Sequence, residues 1–159
     1  MNSKRKLIFI ASLIALTLVL PISSFAQGRH EKREQKLEES AKAKGVSGGV
    51  TFQIEMAYDK AYEATLSYLK RQEYTIDSAS KETGQIVTAM TIKGGYSQTG
   101  TRVYVTLIKD SDNSTTLRVA VSEQKRKKLL QTEPWGDPKV NSEQSQKLAD
   151  DIKTALKSS

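Results

Sequence analysis

Few side chains in this sequence are suited to covalent chemistry. His30 is the only histidine among the 159 residues, and there is no cysteine. His30 lies in a charged segment, where we expect it to be a solvated side chain. We therefore expect neither a serine or cysteine nucleophile activated by histidine nor a zinc site with nitrogen or sulfur ligands. We expect no catalytic residue, no metal and no cofactor, and we predict that the protein is not an enzyme.

Carboxylates are the remaining groups that could hold a metal ion. Asp110, Asp112 and Asn113 have the spacing that begins a calcium-binding loop, but the glycine and the distal glutamate of such a loop are missing. A turn between two strands accounts for the same residues fully. We therefore interpret this segment as a turn.

Aromatic side chains are stronger candidates for binding. Trp135 stands between Pro134 and Pro138. We interpret it as a plug at the end of the core; the alternative is an exposed anchor for a partner, a role that tryptophan often has at interfaces. The candidate contacts with a partner or ligand are Tyr58, Tyr62, Tyr96, Tyr104 and Trp135.

The densest run of charge consists of four consecutive basic residues, Lys125, Arg126, Lys127 and Lys128. We interpret this run as the solvated end of a strand, where lysines discourage edge-to-edge aggregation. The alternative is peripheral contact with an anionic membrane, in which each basic residue contributes about 1 kcal/mol near the lipid surface.

The first 26 residues have the order of a secretory signal peptide. Residues 4–6 are all basic, Leu7 to Leu20 is apolar and uncharged, and Ala26 ends a small-residue cleavage pattern. The apolar stretch is about one third shorter than the roughly 20 residues that cross a membrane. We predict cleavage after Ala26 and export to the periplasm or beyond. Gln27 stands where a lipoprotein has its cysteine, so no lipid anchor is expected.

Export also changes the charge balance. The formal charge of the chain is +7, and removing residues 1–26 takes away three positive charges and no acid, which leaves +4. This charge falls short of the dense basic stripe of a nucleic-acid binder. We expect no nucleic acid among the partners.

The predicted mature chain has two zones. Between residues 29 and 44, Leu37 is the only large aliphatic side chain, so nothing there can be buried in a core. We interpret residues 27–48 as a charged tether or a frayed helix, and residues 49–159 as a single α+β domain.

Periodicity within that domain predicts one strand, one helix and then four strands. Alternating apolar residues from Val50 to Met56 indicate a half-buried strand. Apolar residues at helical spacing from Tyr58 to Leu69 form one stripe of an α-helix. Four further strand patterns cover residues 74–78, 85–92, 102–108 and 117–121.

The later segments also predict a strand face, a loop and the start of the last helix. In residues 85–92, Ile86, Met90 and Ile92 are expected to share one face, and Gly94 to Gly100 is expected to be a flexible loop. The run of basic residues is expected to end the sheet. The last helix is expected to begin near Asn141 or Ser142, either of which can cap its free amides.

The resulting order, β-α-β-β-β-β-α, predicts an antiparallel meander, because short connections join antiparallel neighbours. Two one-sided helices can cover only one face of such a sheet, so we expect the other face to be open and polar. The residues expected on that open face are Thr51, Gln53, Glu55, Asp77, Val87, Ala89, Arg102, Tyr104, Thr106, Thr116 and Arg118.

Specific segments support this order. An amphipathic helix ending in Leu69 is followed by Tyr74-x-Ile76, by Lys81-Glu82-Thr83-Gly84-x-Ile86 at the start of the next strand, and by a terminal helix after Val140. From about residue 50 to residue 156 the chain resembles the small helix-grip domains of the BamC (NlpB) type of envelope lipoprotein. The resemblance implies a non-enzymatic module that binds other envelope proteins. The chain differs by lacking the lipidated cysteine and by having one such domain where BamC has two.

Two hypotheses about function remain. The first is a protein-interaction or assembly module of the cell envelope, with an envelope protein as its partner. The second is a carrier of a small apolar or lipid-like ligand in a groove between the long helix and the sheet, lined by Tyr58, Tyr62, Met56 and Met90. The second hypothesis requires a real cavity, which a fully packed core would not leave.

Overall fold

The computed structural model describes residues 48–128 and 133–158. In this part of the chain one antiparallel sheet packs against two helices, α1 (Tyr58–Arg71) and α2 (Ser142–Lys157), which confirms the predicted α+β class. The predicted signal peptide, the predicted tether as far as residue 47, and His30 lie outside the described residues.

The sheet contains seven described strands, where the sequence predicted five. The central order is β1-β6-β5-β3-β2, and β4 and β7 pair in addition with β5 and β6 respectively. The strands are β1 (Val50–Ile54), β2 (Ile76–Ser80), β3 (Gln85–Thr88), β4 (Thr91–Lys93), β5 (Ser97–Ser111), β6 (Ser114–Lys127) and β7 (Lys139–Val140).

A long hairpin of β5 and β6 forms the centre of the sheet. Its half nearest the turn is flanked by β1 and β3, and its open end is flanked by β4 and β7. We name Val103–Leu107 with Leu117–Val121 the packed half, and Ser97–Thr101 with Glu123–Lys127 the distal half. The pairing is continuous from one half to the other, with Val103 opposite Val121 and Thr101 opposite Glu123.

The core lies under the packed half. The alternate side chains of β5 and β6 there are at most 3 % exposed, because they face both helices. Each helix places its apolar stripe on this one face, as predicted. The core side chains are Ala61, Tyr62 and Leu69 of α1, Leu148, Ala149, Ile152 and Leu156 of α2, and Ile54, Ile86, Val103, Val105, Leu107, Leu117, Val119 and Val121 of the sheet.

The start of α2 is fixed at the boundary between the two halves. Asn141, one of the two candidate caps, is the N-cap, and its Oδ1 accepts a hydrogen bond from the Gln144 amide at 2.9 Å. The Asn141 amide donates to the Val121 carbonyl at 2.8 Å, and the buried Ser145 hydroxyl accepts from the Val121 amide at 2.9 Å. Helix α2 therefore begins over Val121, where the packed half ends.

The predicted strand over residues 85–92 is wrong, because the chain forms two strands there. Val87 pairs with Tyr104 and Thr91 pairs with Thr101, so this side of the ladder holds one more residue than β5 does. One extra residue reverses the faces of all later side chains. Ile86 is consequently buried in the core, whereas Ile92 points to the opposite face and is 48 % exposed.

The predicted loop from Gly94 to Gly100 is also shorter than expected. Strand β5 begins at Ser97, which leaves a turn over Gly94, Gly95 and Tyr96. Gly94 has φ +99°, and a Cβ there would lie 2.2 Å from the Ser97 carbonyl oxygen. Residues 99 and 100 pair with β4 on one side and β6 on the other, and these two ladders hold the chain extended.

The prediction of an open polar face is wrong at the centre of the sheet. Val87, Thr116 and Arg118 are buried, while Thr51, Gln53, Glu55 and Asp77 are exposed. The buried polar groups form hydrogen bonds: the Thr116 hydroxyl donates to Asp110 Oδ2 at 2.6 Å, and Arg118 Nε donates to the Gly48 carbonyl at 2.9 Å. Such bonds permit polar side chains to be buried.

Candidate functional site

The predicted contact residues do not form one site. Tyr58 and Tyr62 lie at the packed end, with ring centroids 6.4 Å apart. The Tyr58 hydroxyl donates to the Lys81 carbonyl at 2.5 Å, and Lys81 Nζ pairs with Asp59 at 3.0 Å. Burial raises the pKa of both phenols. These tyrosines attach the β2–β3 turn to α1, which is a structural role.

The predicted ligand groove of Tyr58, Tyr62, Met56 and Met90 is not formed. Met90 lies on the face of the sheet opposite the helices, where its sulfur is close enough to Gly100 that an added Cβ there would lie 2.5 Å away. The extra residue between β3 and β4 places Met90 on that face. Its side chain and the two tyrosines therefore lie on opposite sides of the sheet.

Trp135 covers the outer face of the distal half. Its Cη2 would lie 3.0 Å from a Cβ at Gly100, and the Arg126 guanidinium lies 4.2 Å from its ring centroid. Arg126 Nε also donates to Gln98 Oε1 at 2.9 Å. Trp135 is half-buried, and the prediction that it plugs the core is wrong because the core lies on the other face. It instead holds the loop of residues 133–138 against β6.

Tyr104 also lies on the face opposite the helices, where it is paired between Val87 and Ala120 and is half-buried. Of the five predicted aromatic contacts, only Tyr96 is strongly exposed, at 62 %. Tyr96 forms the turn between β4 and β5, and its carbonyl accepts a hydrogen bond from the Lys128 amide at 2.7 Å.

A cleft of about 490 Å³ opens where the helices stop covering the sheet. Its volume lies within the roughly 300–1,000 Å³ of small-molecule sites. Val103, Val121 and Leu148 form an apolar floor, and Tyr68 and Tyr74 form an aromatic wall. The polar lining residues are Gln72, Lys93, Thr101, Gln144, Lys147 and Asp151.

The two tyrosines of the cleft remain protonated at neutral pH. Burial raises the pKa of Tyr68 and of Tyr74, and the carboxylate of Asp151 raises both further. A phenol with a raised pKa is a hydrogen-bond donor and a poor general base, since efficient acid–base catalysis needs a pKa near the working pH. The cleft is therefore suited to binding.

Strand β4 forms an open edge beside this cleft. Thr91, Ile92 and Lys93 are all exposed, and within the described residues β4 pairs with β5 alone. Among the described residues, strand β2 pairs with β3 and not with β4. The Ala89 amide donates to the Thr75 carbonyl at 2.7 Å just beyond the paired residues of β2 and β3. Because Lys93 lines the cleft, the open edge and the cleft are continuous.

The run of basic residues forms the end of β6, which stops at Lys127, and Lys125, Lys127 and Lys128 are exposed there, as expected for the solvated end of a strand. The sheet gains one short strand, β7, after this run. Alternation along the strand places Lys125 and Lys127 on the inner face and Arg126 and Lys128 on the outer face. Lys93 and Lys125 both pair with Thr99, from opposite sides. We name the exposed residues at this end the basic tip: Ile92, Lys93, Tyr96, Lys125, Lys127 and Lys128.

Sequence reasoning missed the cleft residues Tyr68 and Tyr74. Tyr68 lies off the apolar stripe that predicted α1, and Tyr74 follows the end of that helix. The available signal was an aromatic side chain on the side of the amphipathic helix that lies off the apolar stripe.

No family model matches this chain, and no curated protein sequence does. Among the described residues, neither helix is both long and apolar enough to cross a membrane.

Proposed function

We propose that this protein is an exported, non-enzymatic binding module of the cell envelope, and that it holds an extended segment of another envelope protein in the cleft beside β4. The single observation that carries the proposal is the continuity of the cleft with the open edge of β4. Export rests on the predicted signal peptide, and the absence of catalysis rests on the residue types present.

An extended segment fits this surface because it can use both of its features. A strand added to a sheet edge gains affinity from main-chain hydrogen bonds, and specificity comes from pockets that receive alternate side chains. Thr91–Lys93 provides the edge. The floor of Val103, Val121 and Leu148 provides an apolar pocket on one side of it.

The polar rim also suits a peptide. Gln72 and Gln144 each carry an amide that can donate and accept hydrogen bonds, and these match the backbone groups of an extended chain. Lys147 and Asp151 provide one charge of each sign. Tyr68 and Tyr74, as protonated phenols, add donors and large rigid contact areas, which are typical of residues that dominate interface energetics.

Site-specific photocrosslinking in intact cells tests this proposal. A photoreactive amino acid replaces Gln72, which follows the last residue of α1 on the rim of the cleft. In a second strain it replaces Ser67, which is exposed on α1 but does not line the cleft. We expect a crosslinked protein of defined mass from position 72 and none from position 67. Identical products from both positions, or no product at position 72, would contradict the proposal.

The variant Tyr74→Ala sharpens the experiment. Removal of a central aromatic contact typically costs about 2 kcal/mol or more in binding, so the crosslink at position 72 is expected to fall by roughly thirtyfold. Tyr74→Phe, which keeps the ring, should retain most of it. Equal losses in the two variants would attribute the effect to the hydroxyl group alone.

The alternative function is a carrier of a small ligand, and the ligand would bind in this same cleft. Its apolar floor and aromatic wall favour a small molecule with an apolar body and a polar end. Mass spectrometry of gently purified protein distinguishes the two functions. A co-purifying small molecule that is lost in Tyr74→Ala would favour the carrier over the peptide-binding module.

A further inference from the structure

We propose that the basic tip is a seat for an anionic lipid surface, separate in its chemistry from the cleft. Ile92 and Tyr96 are the exposed large hydrophobic residues of the described chain, at 48 % and 62 % exposure. Both belong to the short β4–β5 segment. Single exposed hydrophobic residues are common, but two within five residues lie at this end of the hairpin. Ile92 belongs to the outer face and Lys93, Lys125 and Lys127 to the inner face, so a surface that meets the tip end-on would contact both.

No ion pair within the described residues occupies the lysines of the tip. Within residues 48–128 and 133–158 the ion pairs join Lys81 to Asp59 and Glu63, and Lys109 to Asp112. Lys93, Lys125 and Lys127 form none there. They belong to the same inner face of the distal half: Lys93 and Lys125 are two strand spacings apart, or roughly 10 Å, and Lys125 and Lys127 are two residues apart along β6, or roughly 7 Å.

Arg126 is not part of this seat, although it belongs to the basic run. Its guanidinium stacks on Trp135, and its Nε donates to Gln98. The acid nearest the boundary, Glu123, accepts hydrogen bonds from Asn141 Nδ2 at 3.0 Å and from Gln144 Nε2 at 2.9 Å. The adjoining loop adds exposed Glu133 and Asp137, which leaves an excess of positive charge at the tip.

The combination of these side chains fits a lipid headgroup layer. Tyrosine is enriched at membrane–water interfaces, where its ring lies at the headgroup level. Lysines near an anionic leaflet contribute about 1 kcal/mol each, and an added apolar side chain supplies the second contribution that stable peripheral binding needs. A nucleic-acid surface would instead use several stacked aromatic rings.

The geometry also relates the tip to the cleft. Lys93 belongs to the tip and lines the cleft, so a lipid surface seated on the tip would place the mouth of the cleft beside the membrane. In this orientation the mouth of the cleft would lie close to partners that are themselves attached to the membrane. The lipid seat does not require the cleft to be occupied, so the two proposals can fail separately.

Vesicle flotation tests the lipid seat. The full chain is expressed, and the protein recovered from the envelope fraction is mixed with vesicles of 30 % phosphatidylglycerol in phosphatidylcholine or of phosphatidylcholine alone. We expect flotation with the anionic vesicles and at least tenfold weaker binding to the neutral ones. Equal binding to both compositions, or none to either, would overturn the proposal.

A matched pair of double variants assigns the binding to the tip. Lys125→Glu with Lys127→Glu is expected to weaken binding at least roughly 25-fold, since each lysine contributes about fivefold. Lys60→Glu with Lys70→Glu makes the same change of charge at exposed positions on α1 and should weaken binding less than threefold. Equal losses in the two pairs would show an effect of net charge and would contradict a defined seat.

The contribution of Ile92 and Tyr96 is measured separately by the salt dependence of vesicle binding. Ile92→Ser with Tyr96→Ser should weaken binding to anionic vesicles about tenfold and should leave a remainder that 0.5 M salt abolishes, because salt screens only the lysines. Tyr74→Ala, which alters the cleft alone, should bind vesicles as the unmodified protein does. If the lysine variant instead loses a protein crosslink while no form of the protein floats with vesicles, the tip is a protein contact and the proposal fails.

Discussion

The packed half and the distal half of the central hairpin consist of the same two strands in one continuous register, yet they differ in the types and in the burial of their inner-face side chains. In the packed half the inner-face residues are valine and leucine and are at most 3 % exposed. In the distal half the same positions are serine, threonine, glutamate and lysine. Within residues 48–128 and 133–158, the hydrogen bonds that join the start of α2 to these positions run from Asn141 and Gln144 to Glu123. Strand geometry therefore does not determine which part of a sheet becomes core.

The difference follows from the chemistry of alternate residues. Burying valine or leucine stabilises a fold by about 1.5–3 kcal/mol per side chain, whereas burying an unpaired lysine is strongly unfavourable. Two helices of limited length consequently settle over the apolar half. The polar half extends beyond them, and the cleft forms at the step between the two. The proposed binding surfaces lie there because the core ends there.

The largest expected effect tests whether stability resides in the packed half. Leu117→Ala removes a fully buried side chain and should lower the free energy of unfolding by about 2–5 kcal/mol. Lys125→Ala, eight positions further along β6 and exposed, should change it by less than about 0.5 kcal/mol. Urea denaturation followed by circular dichroism measures both. Comparable losses in the two variants would remove the distinction between the halves.

A smaller effect tests the packing of Trp135 on the outer face of the distal half. Gly100→Ala places a Cβ 2.5 Å from Met90 Sδ and 3.0 Å from Trp135 Cη2, and we expect a loss of about 1 kcal/mol from this overpacking of both side chains. Trp135 is the only tryptophan, so its fluorescence should shift to the red and become more easily quenched by iodide. Gly95→Ala, which meets nothing within 4 Å, is the control. An unchanged emission spectrum in Gly100→Ala would refute the packing of Trp135 on Gly100.

The smallest effect concerns the boundary between the halves. Burial raises the pKa of Tyr68 and Tyr74 above the ordinary value of 10.0, so the folded protein retains their protons more strongly than the unfolded chain. Their contribution to stability is complete below pH 10 and is lost as the pH rises through the folded pKa values. Urea midpoints between pH 8 and pH 11 should therefore fall less in Tyr68→Phe with Tyr74→Phe. An unaltered slope would mean that these rings are fully solvated.

Particular elements show how far the sequence reasoning extended. Both helices, the capping by Asn141 and the inner row of Val103, Val105 and Leu107 were predicted, because each depends on local periodicity or on one turn of chain. Strand β4 and the true start of β5 were not, since they depend on an extra residue opposite β5 and on ladders with distant partners. The cleft residues Tyr68 and Tyr74 were missed for the same reason.

The amino-acid sequence by itself determined the class of the fold, the face of the sheet on which both helices pack and the absence of cysteine. These properties follow from residue types and from spacing along the chain. Only the tertiary structure decided that Ile92 faces away from Ile86, that Trp135 lies on Gly100, and that the helices end where a cleft can open. Those outcomes depend on pairing between segments far apart in sequence, for which local periodicity carries no information.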